Sequence, residues 1–345
     1  MNNFLIILLL CVLGVFLLLV CLCVVLIVYR IQEVRKEKLI EAYLTKRQHE
    51  WFAYLVEGQL SPKQLQPKSK IEKDAIDKLF FHCRVNFSSE TISYGMKLFA
   101  MHYLEDYYKR QLNSRSKSIR MNVYYKIYLF EWKFLLADVV DKLTSKQEYS
   151  KEEYLMMYRI IAKFDPEHFI RYYLNPKVHL GEFDYRKLLF ELDEEHLLSL
   201  ANLFDELPQT LQWILVEIVG VKFYVNWLPF LNKCLGSEDS ELRIRALKSI
   251  ASLERIENVS TYEVFATSPI WEERLMVAKV FGVAPPDLAE PVLQKLMIDP
   301  SYQVRLQAAH SLTKLKTSHQ AFTTIIQTSL DESAVALAEE MLEKE

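Results

Sequence analysis

A chain of 345 residues with only 7 Gly and 11 Pro lacks the turn formers that an all-β fold uses at roughly ten-residue intervals. Its 51% hydrophobic content suits one large or two ordinary buried cores. The net charge of −3 is uneven: residues 30–150 carry 22 Lys and Arg against 15 Asp and Glu, whereas residues 151–345 carry 20 against 30. The acidic distal part lacks the basic excess of a nucleic-acid binder, and no nucleic-acid partner is expected. The five cysteines, Cys11, Cys21, Cys23, Cys83 and Cys234, show no disulfide or zinc spacing and suit a reducing compartment.

Phe4–Val28 is a run of 25 residues without a charged side chain. About 20 apolar residues in a helix cross the hydrocarbon core, so a transmembrane helix is expected over residues 4–29, behind a short extracytoplasmic N-terminus at residues 1–3. A cleaved signal peptide competes. No basic segment precedes the run, however, and no small-residue cleavage site follows it. Val20 and Leu22 are too bulky to precede a lipoprotein cut at Cys21 or Cys23. Arg30, Arg35, Lys36 and Lys38 flank the run on its C-terminal side. Positive flanks stay cytoplasmic, which predicts a single-pass protein with its N-terminus outside and its C-terminal domain in the cytoplasm. The same four side chains are candidates for contact with anionic lipid.

Residues 30–60 continue as a juxtamembrane helix, with Ile31, Val34, Leu39, Ala42, Tyr43 and Trp51 at helical spacing. Gly58 and Ser61-Pro62 end it, and residues 61–69, with two Pro and two Ser, read as a linker. Residues 70–205 form a helical domain with no visible repetition before residue 145. Within it, Ser88-Ser89-Glu90 predicts a capped helix running to Leu112. The polar loop Asn113–Ser118 separates it from an apolar helix expected over Ile119–Leu143. Lys126, Glu131, Lys133, Asp138 and Asp141 argue against that helix as a second membrane span and favour a buried central helix over an interfacial one. Lys109, Arg110, Arg115, Lys117 and Arg120, with Tyr107 and Tyr108, form the best basic-aromatic patch. A solvated loop is its default reading, and contact with anionic lipid comes second.

Residues 206–345 repeat. Arg243, Arg274 and Arg305 are evenly spaced, each inside an amphipathic segment, and Ser268-Pro269 and Asp299-Pro300 stand at one offset before the second and third. Extended backwards, the period reaches Gln212; extended forwards, it reaches Ala336 in a last, capping helix. Such a period signals an α-solenoid whose units bury their faces against neighbours. Asp299–Leu312, and next Asp239–Leu253, resemble the first helix of HEAT repeats, with its D-x-x-x-x-V-R-x-x-A-x-x-x-L pattern. The segment at Arg274 departs, with Glu273 where the pattern has Val and with Trp271 added. The resemblance covers about residues 208–345 and extends weakly over residues 150–207, so the 70–205 domain could hold degenerate repeats. It implies an all-α architecture, an anchor followed by a helical domain ending in a HEAT-like solenoid, and a protein-binding role only in generic terms.

In that setting the arginines, with Asp299 and Pro300, read as repeat signatures that hold neighbouring units together. Exposed aromatics such as Trp271 and Tyr302 are candidate partner contacts, with packing between units as the competing role. The eight His are dispersed, and no glycine-rich phosphate loop, H-E-x-x-H, C-x-x-C or G-x-S-x-G is present. Asp193-Glu194-Glu195-His196 reads as an acidic helix start before it reads as a metal site. No catalytic residue, cofactor, metal or small-molecule substrate is expected. The sequence favours a membrane-tethered scaffold that recruits a protein, a membrane-embedded complex being one candidate. An enzyme with a site in residues 60–200 and a lipid-sensing regulator are the alternatives.

Overall fold

The computed structural model describes residues 2–59, 61–256 and 258–344, with the side chains of residues 2–7 and Cys11 outside that description. The ends of the chain, Met1 and Glu345, therefore lie outside the described residues. Among the described residues the architecture is all-α: helices and short 3-10 turns, with no strand. The chain divides into two compact units, one up to Ile160 and one from Ile161 to Glu345. The boundary expected from the sequence, at residues 205/206, falls later.

The first unit is built on α1 (Asn2–Leu55), a single helix of 54 residues, or about 81 Å at 1.5 Å per residue. None of the described apolar side chains from Leu8 to Val28 is buried, and this helix is long and apolar enough to cross a membrane. Burial begins with Ile40 and continues with Trp51 and Leu55. The chain then turns at Gly58, whose φ of +65° is the left-handed conformation that glycine adopts without steric cost. The segment expected to be a linker is mostly exposed and is anchored at one buried residue. A 3-10 turn at Pro62–Leu65 buries Leu65, and Arg47 Nη1 donates to Gln64 O at 2.9 Å.

Helix α2 (Lys70–Asn86) is capped by Ser69, whose hydroxyl accepts from Glu72 N. Lys36 pairs with Asp74 at 2.6 Å and Lys78 lies 4.0 Å from Glu41, so α2 runs parallel to α1. Ser89 caps the next helix, but the single helix expected to reach Leu112 is two: α3 (Glu90–Tyr103) and α4 (Glu105–Leu112), broken at buried Leu104. Beyond the break Tyr107 Oη donates to Asp74 at 2.7 Å and Tyr108 Oη donates to Asp77.

The helix expected over Ile119–Leu143 is also two, α5 (Lys117–Phe130) and α6 (Leu136–Thr144). Glu131 ends α5 at φ 58°, ψ 43°. Arg84 holds this left-handed turn by donating to Leu129 O at 3.0 Å and to Glu131 Oε1 at 3.2 Å. The turn buries Trp132 against Tyr108 and Phe130, with ring centroids 4.8 Å apart in both pairs. Lys126 pairs with Asp77 at 2.5 Å, and α5 runs parallel to α2. It also runs parallel to α7 (Lys151–Phe164), through Lys117–Glu152 at 2.7 Å and Arg159 Nη2 to Tyr128 Oη at 2.9 Å.

The second unit contains α8 (Pro166–Leu174), α9 (Glu182–Phe190), α10 (Glu194–Ala201), α11 (Gln209–Val221), α12 (Leu228–Cys234), α13 (Ser240–Leu253), α14 (Ser260–Glu263), α15 (Trp271–Phe281), α16 (Pro286–Leu296), α17 (Tyr302–Leu312), α18 (Ser318–Thr328) and α19 (Glu332–Lys344). Its odd-numbered helices pack in succession: α9 on α11, α11 on α13, α13 on α15, α15 on α17. Ordering begins before residue 206, because Arg186 on α9 reaches Glu217 on α11 at 2.8 Å and Arg245 on α13 reaches both Glu182 and Glu217 at 3.0 Å.

Equivalent buried positions recur at the spacing of the arginines. Leu215, Ala246, Val277 and Ala308 form one set; Val216, Leu247, Ala278 and Ala309 a second; Val219, Ile250, Phe281 and Leu312 a third. Apolar side chains three, four and seven apart lie on one helix face. The spacing does not carry into α19. There Leu337, Ala338 and Met341 are buried, two positions short of the period, and the expected Ala336 is exposed. Two close approaches lock the stack. A Cβ on Gly220 would lie 2.7 Å from Ser249 Cα, and one on Gly282 would lie 2.7 Å from Ser311 Oγ.

Candidate functional site

The repeated arginines share one geometry. Arg243 Nη1 donates to Ser237 O at 2.7 Å and Glu238 O at 2.9 Å, and its Nε donates to Glu273 Oε1 at 2.7 Å. Arg274 Nη1 donates to Ser268 O at 2.7 Å while Nε and Nη2 form a forked pair with Asp299 at 2.6 and 2.9 Å. Each guanidinium thus ties the loop before its own helix to an acidic side chain of the following segment. Arg305 repeats the loop clamp on Asp299 O and Pro300 O at 2.7 and 3.2 Å. Its Nε, however, is buried without a hydrogen-bond partner among the described residues.

Arg120 belongs with these residues, not with a basic patch. It is buried, donates from Nη1 to Ser114 O at 2.8 Å and Arg115 O at 3.0 Å, and donates from Nε to buried Glu153 at 2.7 Å. Its followers at positions three, four and seven, Val123, Tyr124 and Ile127, are buried like their counterparts after Arg243. The assignment of Arg120 to lipid contact is therefore corrected, because a guanidinium enclosed by three protein oxygens has no exposed face for a headgroup. The remaining basic candidates are surface groups. Lys109 pairs with Glu105 at 2.8 Å, Lys117 with Glu152 at 2.7 Å, Arg30 with Glu33 at 2.9 Å and Lys36 with Asp74. Arg35, Lys38, Arg110 and Arg115 are exposed.

The acids in these ties ionise readily despite their surroundings. Burial raises the pKa of Asp299, but the Arg274 guanidinium and Ser301 N–H outweigh it and hold the carboxyl below its ordinary value. Glu153 behaves alike: burial opposes its charge, and Arg120 with the Ser150 N–H prevails. Asp77 goes the other way. Burial raises its pKa despite Lys126 and Tyr108.

Trp271 and Tyr302 each stand three residues before their arginine, at the first position of α15 and of α17, with 39% and 54% of their surface exposed. The Tyr302 ring lies 5.8 Å from the Arg305 guanidinium. In the first unit the equivalent position, three before Arg120, is Lys117.

An apolar groove of about 570 Å³ opens in the first unit between α1 and α2, lined by Leu44, Trp51, Phe52, Leu79, His82 and Cys83 among others. Burial pushes the Cys83 thiol pKa up. Asp193 acts as the cap of α10, accepting from His196 N at 3.0 Å, so Asp193–His196 is a helix start. No group of three or more His, Cys, Asp or Glu among the described residues could hold a metal ion.

No protein-family model and no curated protein matches the chain. Among solved structures it is similar to two engineered proteins. One shares 13% identity with a TM-score of 0.38, over 82% of this chain and 87% of the other. The second shares 16% with a TM-score of 0.35, over 60% of this chain and 95% of the other. Neither likeness is close enough to carry an argument about function.

Proposed function

We propose that this chain is a membrane-tethered scaffold whose helical array, a HEAT-like α-solenoid, recruits another protein at the cytoplasmic face. The observation that carries the reading is the succession α9, α11, α13, α15, α17, with equivalent residues buried at one spacing and arginines tying unit to unit. Arrays of this kind are stabilised by neighbour-to-neighbour packing and offer an extended surface to a partner. The apolar half of α1 supplies the tether, and the positive flank from Arg30 to Lys38 favours a cytoplasmic array. Tethering raises the effective concentration of any partner in the same membrane.

The contact surface in this reading is the loop edge where Trp271 and Tyr302 project from equivalent positions. Exposed aromatic side chains flanked by arginine are frequent anchors of protein interfaces. A photo-crosslinking amino acid at Gln303, beside Tyr302 on the first turn of α17, tests the reading in intact membranes. A specific protein adduct, weakened by Trp271→Ala with Tyr302→Ala, supports it. An absence of protein adducts across the edge sinks it.

A further inference from the structure

The stacked helices of the second unit have an outward face that the arginine clamps leave free. On α13, α15 and α17 the buried positions share one spacing, and the three helices pack in succession. Side chains at equivalent positions therefore form rows across the stack, one helix width or about 8–10 Å apart. One row is basic: Lys248, Lys279 and His310 each follow their arginine at the same interval, and Lys314 stands one turn beyond His310. A second row is apolar and half-buried: Ile244, Leu275 and Leu306, with Met276 beside Leu275. Positions four apart share a helix face, so the two rows run side by side.

Lys248, His310 and Lys314 are exposed and Lys279 is half-buried. Among the described residues none of these four side chains has a hydrogen bond or an ion pair. Burial lowers the pKa of Lys279, and the charges of Lys248 and Lys314 lower it further, with no carboxylate to offset them. The acids bordering the stripe are turned elsewhere. Glu217, at the equivalent position of α11, is held by Arg186 and Arg245 at 2.8 and 3.0 Å, and Glu241 is held by Arg245 at 2.6 Å. Beyond α17, helix α19 presents exposed Glu339 and Glu343, neither of them paired with the stripe. The basic stripe is thus confined to three helices and flanked by acids.

We infer that this face takes an acidic amphipathic helix of a partner protein, laid across α13, α15 and α17. The inference rests on the reading of the chain as a protein-recruiting scaffold and names the chemistry of what is recruited. Carboxylates seven residues apart on a helix are separated by about 10 Å, which matches the lysine row. Apolar side chains on the adjoining stripe of that helix meet Ile244, Leu275 and Leu306, in the manner of a helix laid on an apolar surface. A nucleic acid or an anionic bilayer could use the lysines but not the apolar row, and would meet the flanking acids.

The test uses the full chain in nanodiscs of neutral phosphatidylcholine, with empty discs as the blank. The probe is a fluorescein-labelled helical peptide of about 20 residues, apolar along one stripe and with Glu at every seventh position beside it. Its counterpart with Lys for Glu is the control. Fluorescence anisotropy should show the Glu peptide binding at least about tenfold more tightly than the Lys peptide, with the difference lost in high salt. Lys248→Glu with Lys279→Glu and Lys314→Glu should weaken the Glu peptide by at least about tenfold, and the three changes to Arg should keep it bound. Equal binding of the two peptides, no binding of the Glu peptide, or unchanged affinity in the charge-reversed chain overturns the proposal. Tighter binding of an oligothymidylate or of phosphatidylglycerol vesicles than of the peptide also overturns it, by assigning the stripe to a different anion. A photo-crosslinking amino acid at Gln307, beside Leu306, compared with one at Gln303 in intact membranes, separates the face from the scaffold reading. Protein adducts at Gln307 support the face; adducts at Gln303 alone sink the face and leave the scaffold; adducts at neither sink both.

Discussion

The two units use one device on different edges. In each, an arginine clamps the loop before its helix and reaches a buried acid on a later element: Arg120 to Glu153 in the first, Arg243 to Glu273 and Arg274 to Asp299 in the second. Three residues before the arginine the chemistry varies, from Lys117 in the first unit to Ser240, Trp271 and Tyr302 in the second. The interior of the clamp sets the packing, and the first residue of the helix sets what the edge can meet. A cation there suits a charged surface, whereas exposed aromatics suit a protein.

The largest expected effect tests whether the clamps are equivalent. Removing one partner of a buried, hydrogen-bonded pair costs about 3–5 kcal/mol. Arg274→Ala and Arg120→Ala should both lower stability on that scale in thermal or urea unfolding of the detergent-solubilised chain. If Arg120→Ala changes stability no more than an ordinary surface substitution, about 0.5 kcal/mol, the equivalence is broken.

Next come the close approaches of the second unit. Gly220→Ala forces a methyl group against the Ser249 backbone and should cost about 1–3 kcal/mol. Gly282→Ala meets chiefly the Ser311 side chain and should cost less, with partial rescue by Ser311→Ala. Equal costs at both glycines would show that the backbone of α13 yields as easily as a side chain.

A smaller effect is pH-dependent. Asp299 and Glu153 have depressed pKa values in the folded state. Their contribution is therefore full above the ordinary carboxylate pKa and is lost as pH falls through the lowered, folded value. Acid unfolding curves should show Asp299→Asn flattening this slope for the second unit and Glu153→Gln flattening it for the first. An unchanged slope in either variant removes that acid from the account.

The smallest effect on stability should come from the edges. Trp271→Ala and Tyr302→Ala are each expected to cost less than the roughly 3–5 kcal/mol of a fully buried aromatic, since both rings are partly exposed. A loss of several kcal/mol would make them packing residues and remove them from the contact surface.

The period of the second unit is legible in the sequence because the arginines and the small or apolar residues after them recur in identical register. Gly220 and Gly282 are legible in principle, lying two periods apart, but a close approach needs the partner serines, which only packing reveals. Arg120 reads as a surface cation because Arg115 and Lys117 surround it with exposed charge. Its interval to Arg243 also falls one position short of a whole number of periods. The break at Glu131 leaves no sign either, since a left-handed turn usually announces itself with Gly or Asn, and here Arg84 holds it from another helix. The end of the array departs by register: α19 packs two positions early, so Ala336 faces outward. The apolar run of α1 is legible throughout, because a run of that length needs no tertiary context to be read.

The most direct test of the central claim is crosslinking followed by purification from intact membranes, with α1 retained, comparing the natural chain with Trp271→Ala, Tyr302→Ala. The account predicts one or a few proteins that copurify specifically with the natural chain and are depleted with the double variant, while the variant stays folded and membrane-bound. Copurification of the same proteins with both chains, or of none with either, would contradict it.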